Sequence, residues 1–289
     1  MQQKGNLVRG AFIALIVLAA AACFVLPRPA YAVDEIHVYN ADIAEPGQWA
    51  IQQHLNYTFL GLKVPAFPGG LVPNHSLNGT PELAYGLTEW WELGFYAPFA
   101  VSNTGNFLSD GFKIRNLFVS PEAAKRDFFY GANFEWSYAT PAFSQTRVGL
   151  EVRPIIGVRR QDWEFIVNPI VDFSIGKYGE ADFAPAARLA RKLGEDFFVG
   201  AEYYSYLGKI GDFPPLSEQQ HYLFGVVDFK VGVVDVDFGV GYGLTQGSDR
   251  LVAKLILGYA FPAPGARAED GEQLLKTPLT LKSAMHSLQ

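Results

Sequence analysis

The chain has 289 residues, of which 49% are hydrophobic and 15% aromatic, and carries a net charge of −6. A single cysteine excludes a disulfide framework, and an acidic balance with no basic stripe gives nucleic acid no electrostatic footprint. After the N-terminus no segment has the about 18 unbroken apolar residues of a transmembrane helix, so a membrane crossing would have to be made by strands closed into a barrel.

Lys4 and Arg9 precede an apolar run over residues 11–26, and Ala30-Tyr31-Ala32 is a small-x-small cleavage site. Residues 1–32 therefore read as a secretory signal peptide, with Val33 the first mature residue. A lipoprotein signal through Cys23 fits less well, because the apolar run continues past the cysteine and Ala20 is not the bulky residue expected three positions before it. Cleavage would remove Lys4, Arg9 and Arg28, leaving 20 basic against 29 acidic residues, a net charge of −9, and no cysteine. A thiol nucleophile and a cysteine metal site are then excluded.

Residues 33–47 form a lead without period. From residue 49 to 59, Trp49, Ile51, Leu55, Tyr57 and Phe59 alternate with Gln52, His54, Asn56 and Thr58, the period-two pattern of a strand. Residues 60–80 are rich in Pro and Gly and read as a long loop, expected on the extracellular side. The sequons at Asn74 and Asn78 read as chance matches in a bacterial envelope protein. Residues 81–87 and 91–100 predict a hairpin about Thr88-Glu89-Trp90, with Glu82, Glu92 and Tyr96 inward. Residues 111–119 place Lys113 and Arg115 inward, with Asn116 breaking the apolar outer face, and residues 127–138 place Asn133 and Glu135 inward.

The hairpin over residues 147–173 is the most informative stretch. Val148, Leu150 and Val152 alternate with Arg147, Gly149, Glu151 and Arg153. After a turn at Gln161-Asp162, Trp163, Phe165, Val167, Val171 and Phe173 alternate with Glu164, Asn168 and Asp172. One face is broadly apolar and aromatic while the other carries long charged side chains mid-strand, the dyad pattern of an outer-membrane barrel. A two-residue turn sets Arg159 opposite Glu164 and Glu151 opposite Asp172. The first is an ordinary cross-strand ion pair, whereas the second is a like-charge pair that needs a cation between its members. Arg153 or Arg147 reaching between the acids would make a charge ladder, and an acidic constriction met by a solute in transit is the sharper reading. The same register sets Pro154 opposite Pro169, which removes two ladder donors and predicts a bulge or kink, either an adaptation to curvature or a gate.

Residues 181–189 and 197–207 predict the next pair, with Arg188, Glu202 and Tyr204 inward. Residues 208–220 read as a second long loop, and residues 221–229 are apolar on both faces. In the last two strands Asp235, Asp237, Gly239, Gly241 and Gly243 face inward, and the glycines leave room for Arg250 and Lys254. The expected fold is an all-β transmembrane antiparallel up-and-down β-barrel of about twelve strands over residues 48–261, with both termini periplasmic and a flexible periplasmic tail over 262–289. Trp49, Trp90, Trp91, Trp163, Tyr259 and Phe261 lie near strand ends, as interface girdles do. His54 sits inward with no second histidine at ligand spacing, so no metal or other cofactor is expected. No clustered Ser, His and acid, no phosphate cradle and no nucleophile elbow is present, which argues against an enzyme.

At Tyr85-Gly86-Leu87-Thr88 with Trp91-Glu92-Leu93-Gly94, then Arg153-Pro154-Ile155 and residues 163–170, the chain resembles the outer-membrane transporter-like proteins of the meta-pathway phenol degradation family. The resemblance covers residues 49–261, and only the Asp110-Gly111 order and the tail depart from the pattern. It implies a barrel in the outer membrane and uptake of aromatic or other hydrophobic compounds, and it brings no catalytic residues.

The expected function is a passive channel for small solutes through a lumen narrowed by charged side chains. An interaction barrel with a closed, charge-filled lumen is the alternative, because twelve strands enclose far less space than a 16-stranded porin. An outer-membrane lipid-modifying enzyme is a third reading, for which no nucleophile cluster is found. The expected partners are outer-membrane lipid and lipopolysaccharide, a small-molecule solute, and the barrel-assembly machinery during insertion.

Overall fold

The computed structural model describes residues 35–262; the expected signal peptide and the tail beyond Pro262 lie outside the described residues. Twelve antiparallel staves close into one barrel. They are β1 (Trp49–Leu60), β2 (Leu77–Thr88), β3 (Trp91–Tyr96 continuing as Phe99–Val101), β4 (Phe107–Ser109 continuing as Phe112–Val119), β5 (Phe128–Tyr138) and β6 (Val148–Arg160). The second half comprises β7 (Trp163–Asn168 continuing as Val171–Ile175), β8 (Ala181–Phe183 continuing as Ala186–Lys192), β9 (Phe197–Tyr206), β10 (Gln220–Val231), β11 (Val234–Gly243) and β12 (Leu251–Ala260). Closure runs through β1 and β12, where Leu55 faces Leu255 and Asn56 faces Lys254. A closed barrel leaves no sheet edge, the condition for strands in lipid.

Period-two alternation decides the outer face. Phe95, Trp136, Phe165, Leu189 and Phe238 are exposed, whereas Tyr96, Glu135, Glu164, Arg188 and Gly239 beside them are buried. At the end bearing the short turns, Trp90, Trp91 and Phe118 stack on one another, and Trp49 lies 4.6 Å from Tyr85 between ring centroids.

Two readings of the sequence need correction in the wall. The long loop is shorter than residues 60–80, because Leu77–Thr80 begin β2 and pair with β1 from Tyr57↔Leu77 onward. Pro81 and the small residues beside it hid that strand. Similarly, the segment after β3 folds back at once, with Val101 paired to Phe107.

The β6–β7 hairpin has its expected register on both sides of the prolines: Arg159 faces Glu164, and Glu151 faces Asp172. Between Val152↔Val171 and Ile156↔Val167 the ladder is interrupted, and β7 breaks at Pro169-Ile170. No residue is inserted, so the double proline opens the ladder locally instead of forming a bulge. β8 breaks beside it at residues 184–185, where Pro185 stands.

Inward glycines lie opposite inward rings. Phe129 pairs with Gly157 and Phe224 with Gly241, and a Cβ added to either glycine would fall 2.0 Å and 2.4 Å from the partner ring. Each ring folds over the space that the glycine leaves. Gly157→Val therefore forces Phe129 out of its rotamer and is expected to destabilise the barrel by about 1–3 kcal/mol, the cost of overpacking. A lowered urea midpoint of the refolded barrel in detergent, read by heat modifiability, checks this.

Candidate functional site: a plugged lumen with an acidic vestibule

The lumen is filled over half its length by a segment of the chain and not by charged wall side chains alone. Residues 35–47 run inside the barrel and leave it at the short-turn end to join β1, and Ile36, Val38, Tyr39, Ala41 and Ala44 are buried there. Val38, Tyr39 and Ala41 pack with Leu117, Phe129, Ile155, Ile166 and Ile170 of the wall. Ile36 packs with Tyr222, Phe224, Val226 and Val252. This explains why β10 reads as apolar on both faces: its outer face meets lipid and its inner face meets the plug.

Polar anchors fix the plug at several heights. The Tyr39 N–H donates to Asn168 Oδ1 (2.8 Å) and the Asn168 amide donates back to the Tyr39 carbonyl (3.1 Å), so one side chain of the wall satisfies both backbone groups of a plug residue. Asn168 is free to do this at the break that Pro169 makes in β7. Arg153 donates to the His37 carbonyl (3.0 Å), Arg159 to the Asn40 carbonyl (3.0 Å), and the Ala44 N–H donates to Glu92 (2.6 Å). The Arg153 guanidinium also lies 4.4 Å from the centre of the Tyr39 ring, within cation–π range. The Tyr39 and Tyr96 hydroxyls are 2.8 Å apart. Ala41 turns the segment with a left-handed φ of 64°. At the exit, a Cβ on Gly86 would stand 2.2 Å from the Glu45 carbonyl oxygen, so glycine is needed for the plug to pass the wall.

A belt of buried ion pairs surrounds the plug. Arg115 binds Glu82 (2.6 Å) and also Glu92. Arg159 binds Glu164 (2.7 Å), Arg188 binds Glu202 (2.6 Å) and Asp228, and Lys254 binds Glu202 (2.5 Å) and Asp237 (2.8 Å). Lys254 occupies the room above Gly239, whose added Cβ would lie 3.1 Å from Lys254 Cε. Charges this deep are tolerable because each is paired; removing one partner would strand the other.

Above the plug, a cavity of about 340 Å³ occupies the long-loop half of the barrel, with Glu35, Ile36 and His37 on its plug side. Its wall carries a row of four acids at one level of four consecutive strands: Glu135 faces Glu151, Glu151 faces Asp172, and Asp172 faces Asp182. Lys113 binds Glu135 (2.9 Å), and Arg153 clasps Glu151 with two hydrogen bonds of 2.7 and 3.0 Å. With Glu35, Asp110, Glu180 and Asp249, eight carboxylates among the described residues line the cavity, against the bases Lys113 and Arg153. Phe67, Leu71 and Phe143 supply apolar wall from the loops.

The candidates read from sequence thus divide. Glu135, Glu151, Arg153, Asp172 and Lys113 come together at the acidic row. Arg115, Lys254 and Asn168 lie buried in the ion-pair belt or at the plug. Arg147 and Arg250 are not brought into the lumen: both are exposed, outside the strands, and donate to the Ala139 and Gly243 carbonyls. The expected alternation carried them inward, but each precedes the first paired residue of its strand. Pro154 and Pro169 mark the interrupted ladder. Sequence reasoning missed the plug residues, Asp182 as a member of the row, and the proximity of His37 to His54, whose ring centroids are 5.8 Å apart.

No family model matches the chain, and no curated protein matches it in sequence. Among solved structures, it is similar to the COG4313 outer membrane channel from Pseudomonas putida F1, with a TM-score of 0.58 and 11% identity over 78% of this chain and 100% of that one. At that identity the likeness shows the fold, and the apolar outer band around a closed barrel shows its surroundings. The chain is an outer-membrane β-barrel. It is also similar to a NanC porin (TM-score 0.47, 8% identity, 73% of this chain and 98% of that one) and to the translocator domain of the autotransporter NalP from Neisseria meningitidis (TM-score 0.46, 10% identity, 77% and 90%).

Because Asn168 satisfies both backbone groups of Tyr39, its replacement leaves two buried groups unpaired, at about 1–3 kcal/mol each. Asn168→Ala is expected to loosen the plug without unfolding the wall. Limited proteolysis of the intact barrel checks this: cleavage within residues 35–47 should accelerate by an order of magnitude or more, since every 1.4 kcal/mol is about tenfold in the released population.

Proposed function

We propose that the protein is an outer-membrane channel for passive entry of small solutes, with the long loops extracellular, both termini periplasmic, and the plug as the barrier that must shift for passage. The observation that carries this reading is the acidic, apolar-walled vestibule of about 340 Å³ that ends on a segment of the chain instead of on the wall. A purely structural barrel has no need of a cavity lined by unevenly balanced charge. The likeness to a solved outer membrane channel adds support.

The solute class we propose is aromatic or other hydrophobic compounds. Phe67, Phe143 and Leu71 offer apolar contact near the long loops, and the resemblance to the meta-pathway phenol degradation family points the same way. The acidic row adds a preference among ions: eight carboxylates against two bases draw cations and repel anions. The reading of a barrel with a closed lumen is favoured by one observation, the double apolar packing of the plug. It differs from a gated channel only in whether the plug ever leaves.

Planar-bilayer recording tests the proposal. The wild-type barrel should show infrequent openings that prefer potassium over chloride, and Asp172→Asn combined with Glu151→Gln should lower that preference at least about twofold, as expected when a ring of charge in a pore is neutralised. Openings with unchanged selectivity would remove the acidic row from the pathway. No openings at all, even in Asn168→Ala, would favour the closed barrel.

A further inference from the structure

We propose that Glu35, His37 and His54 form a binding site for one divalent transition-metal ion, of which zinc is the model, and that the ion ties the luminal plug to the barrel wall. One potential ligand atom from each side chain lies within 4.8 Å of the others. Glu35 and His37 are two residues apart on an extended segment, so their side chains share a face. His54 projects inward from β1, where it pairs with Thr80 and Ile256 of the neighbouring strands.

The surroundings of His54 distinguish this group from an ordinary hydrogen-bonded cluster. The side chain is 1% exposed, and its Nε2 lies 3.4 Å from Glu82, whose other oxygen is held by Arg115 at 2.6 Å. Its Nδ1 has no hydrogen-bond partner among the described residues. A buried imidazole with one nitrogen on a carboxylate and the other vacant has the outer half of a carboxylate–histidine–metal arrangement. His37 Nδ1 is 3.8 Å from Glu35 Oε1. Zinc–nitrogen and zinc–oxygen bonds of about 2.0–2.2 Å separate tetrahedral ligands by about 3.3 Å, so binding would draw these atoms together from their present spread of up to 4.8 Å, with Glu35 Oε1 now accepting the Tyr39 hydroxyl at 3.0 Å.

The donor set selects the ion. Two imidazoles and one carboxylate suit zinc, copper, nickel or cobalt, and disfavour magnesium and calcium, which take oxygen ligands. Glu35 and His37 also line the cavity, so a fourth coordination position faces the vestibule and its acids, which concentrate cations. The inference stands on the position of the plug against β1 and does not require the lumen to conduct.

The test is zinc titration of the detergent-solubilised full barrel, purified without a polyhistidine tag, by competition with a chelating dye and by thermal unfolding. One zinc per barrel should bind and raise the unfolding temperature, with magnesium having no effect. His37→Ala and His54→Ala should each weaken binding by about tenfold or more and abolish the thermal shift, and Glu82→Gln should weaken it less. Should His54→Ala fail to insert, His37→Ala and Glu35→Gln decide the matter, since both lie on the luminal segment outside the wall. Absence of zinc binding, or affinity undiminished in His37→Ala, overturns the proposal.

Discussion

The structure depends on one constraint: the inside of a twelve-stranded barrel must be filled by something. Strand pairing runs round the whole wall through β1 and β12, but the inner face still presents Phe129, Ile155, Ile166 and Phe224, which are costly to leave in water. The chain meets this with its own N-terminal segment. Val38 and Ala41 complete one apolar cluster and Ile36 completes another, so the short-turn half of the lumen acquires a core like that of a soluble domain. A plug carries unpaired backbone groups into that core, and the wall answers them with Asn168, Arg153, Arg159 and Glu92.

The same filling divides the lumen by charge. In the plugged half every carboxylate of the belt lies against a base, with bases shared between acids and Glu202 shared between Arg188 and Lys254. In the open half carboxylates exceed bases more strongly, and the row from Glu135 to Asp182 faces a cavity with Lys113 on Glu135 and Arg153 on Glu151. Paired charges rigidify the half that holds the plug, and the excess of carboxylates gives the vestibule its field. Arg153 joins the two halves, since it clasps Glu151 in the row and holds the His37 carbonyl of the plug.

Much of the wall was legible in the sequence because period two fixes facing and a two-residue turn fixes register. Gln161, with a φ of 55°, makes that turn, and Glu151 opposite Asp172 followed from it directly. Residues 35–47 were not legible as a plug, because an extended segment that fills a lumen has no period of its own and its partners are scattered over more than half of the strands. The acidic row was half legible. Glu151 and Asp172 share a hairpin, whereas Glu135 and Asp182 join them across the loops at 139–147 and 176–180, which set no register that a sequence shows. His54 was seen to face inward, but its neighbour His37 lies in the segment whose path could not be read.

The central claim is that the segment around Val38 is held inside the barrel and leaves it only on opening. The most direct measurement is the labelling rate of a single cysteine placed at Val38, in a chain with Cys23 removed, by a small thiol reagent in lipid vesicles. Labelling should be at least about a hundredfold slower than for a cysteine at exposed Leu244, as expected for a position that reacts only during rare local opening. Equal rates at the two positions would contradict that claim.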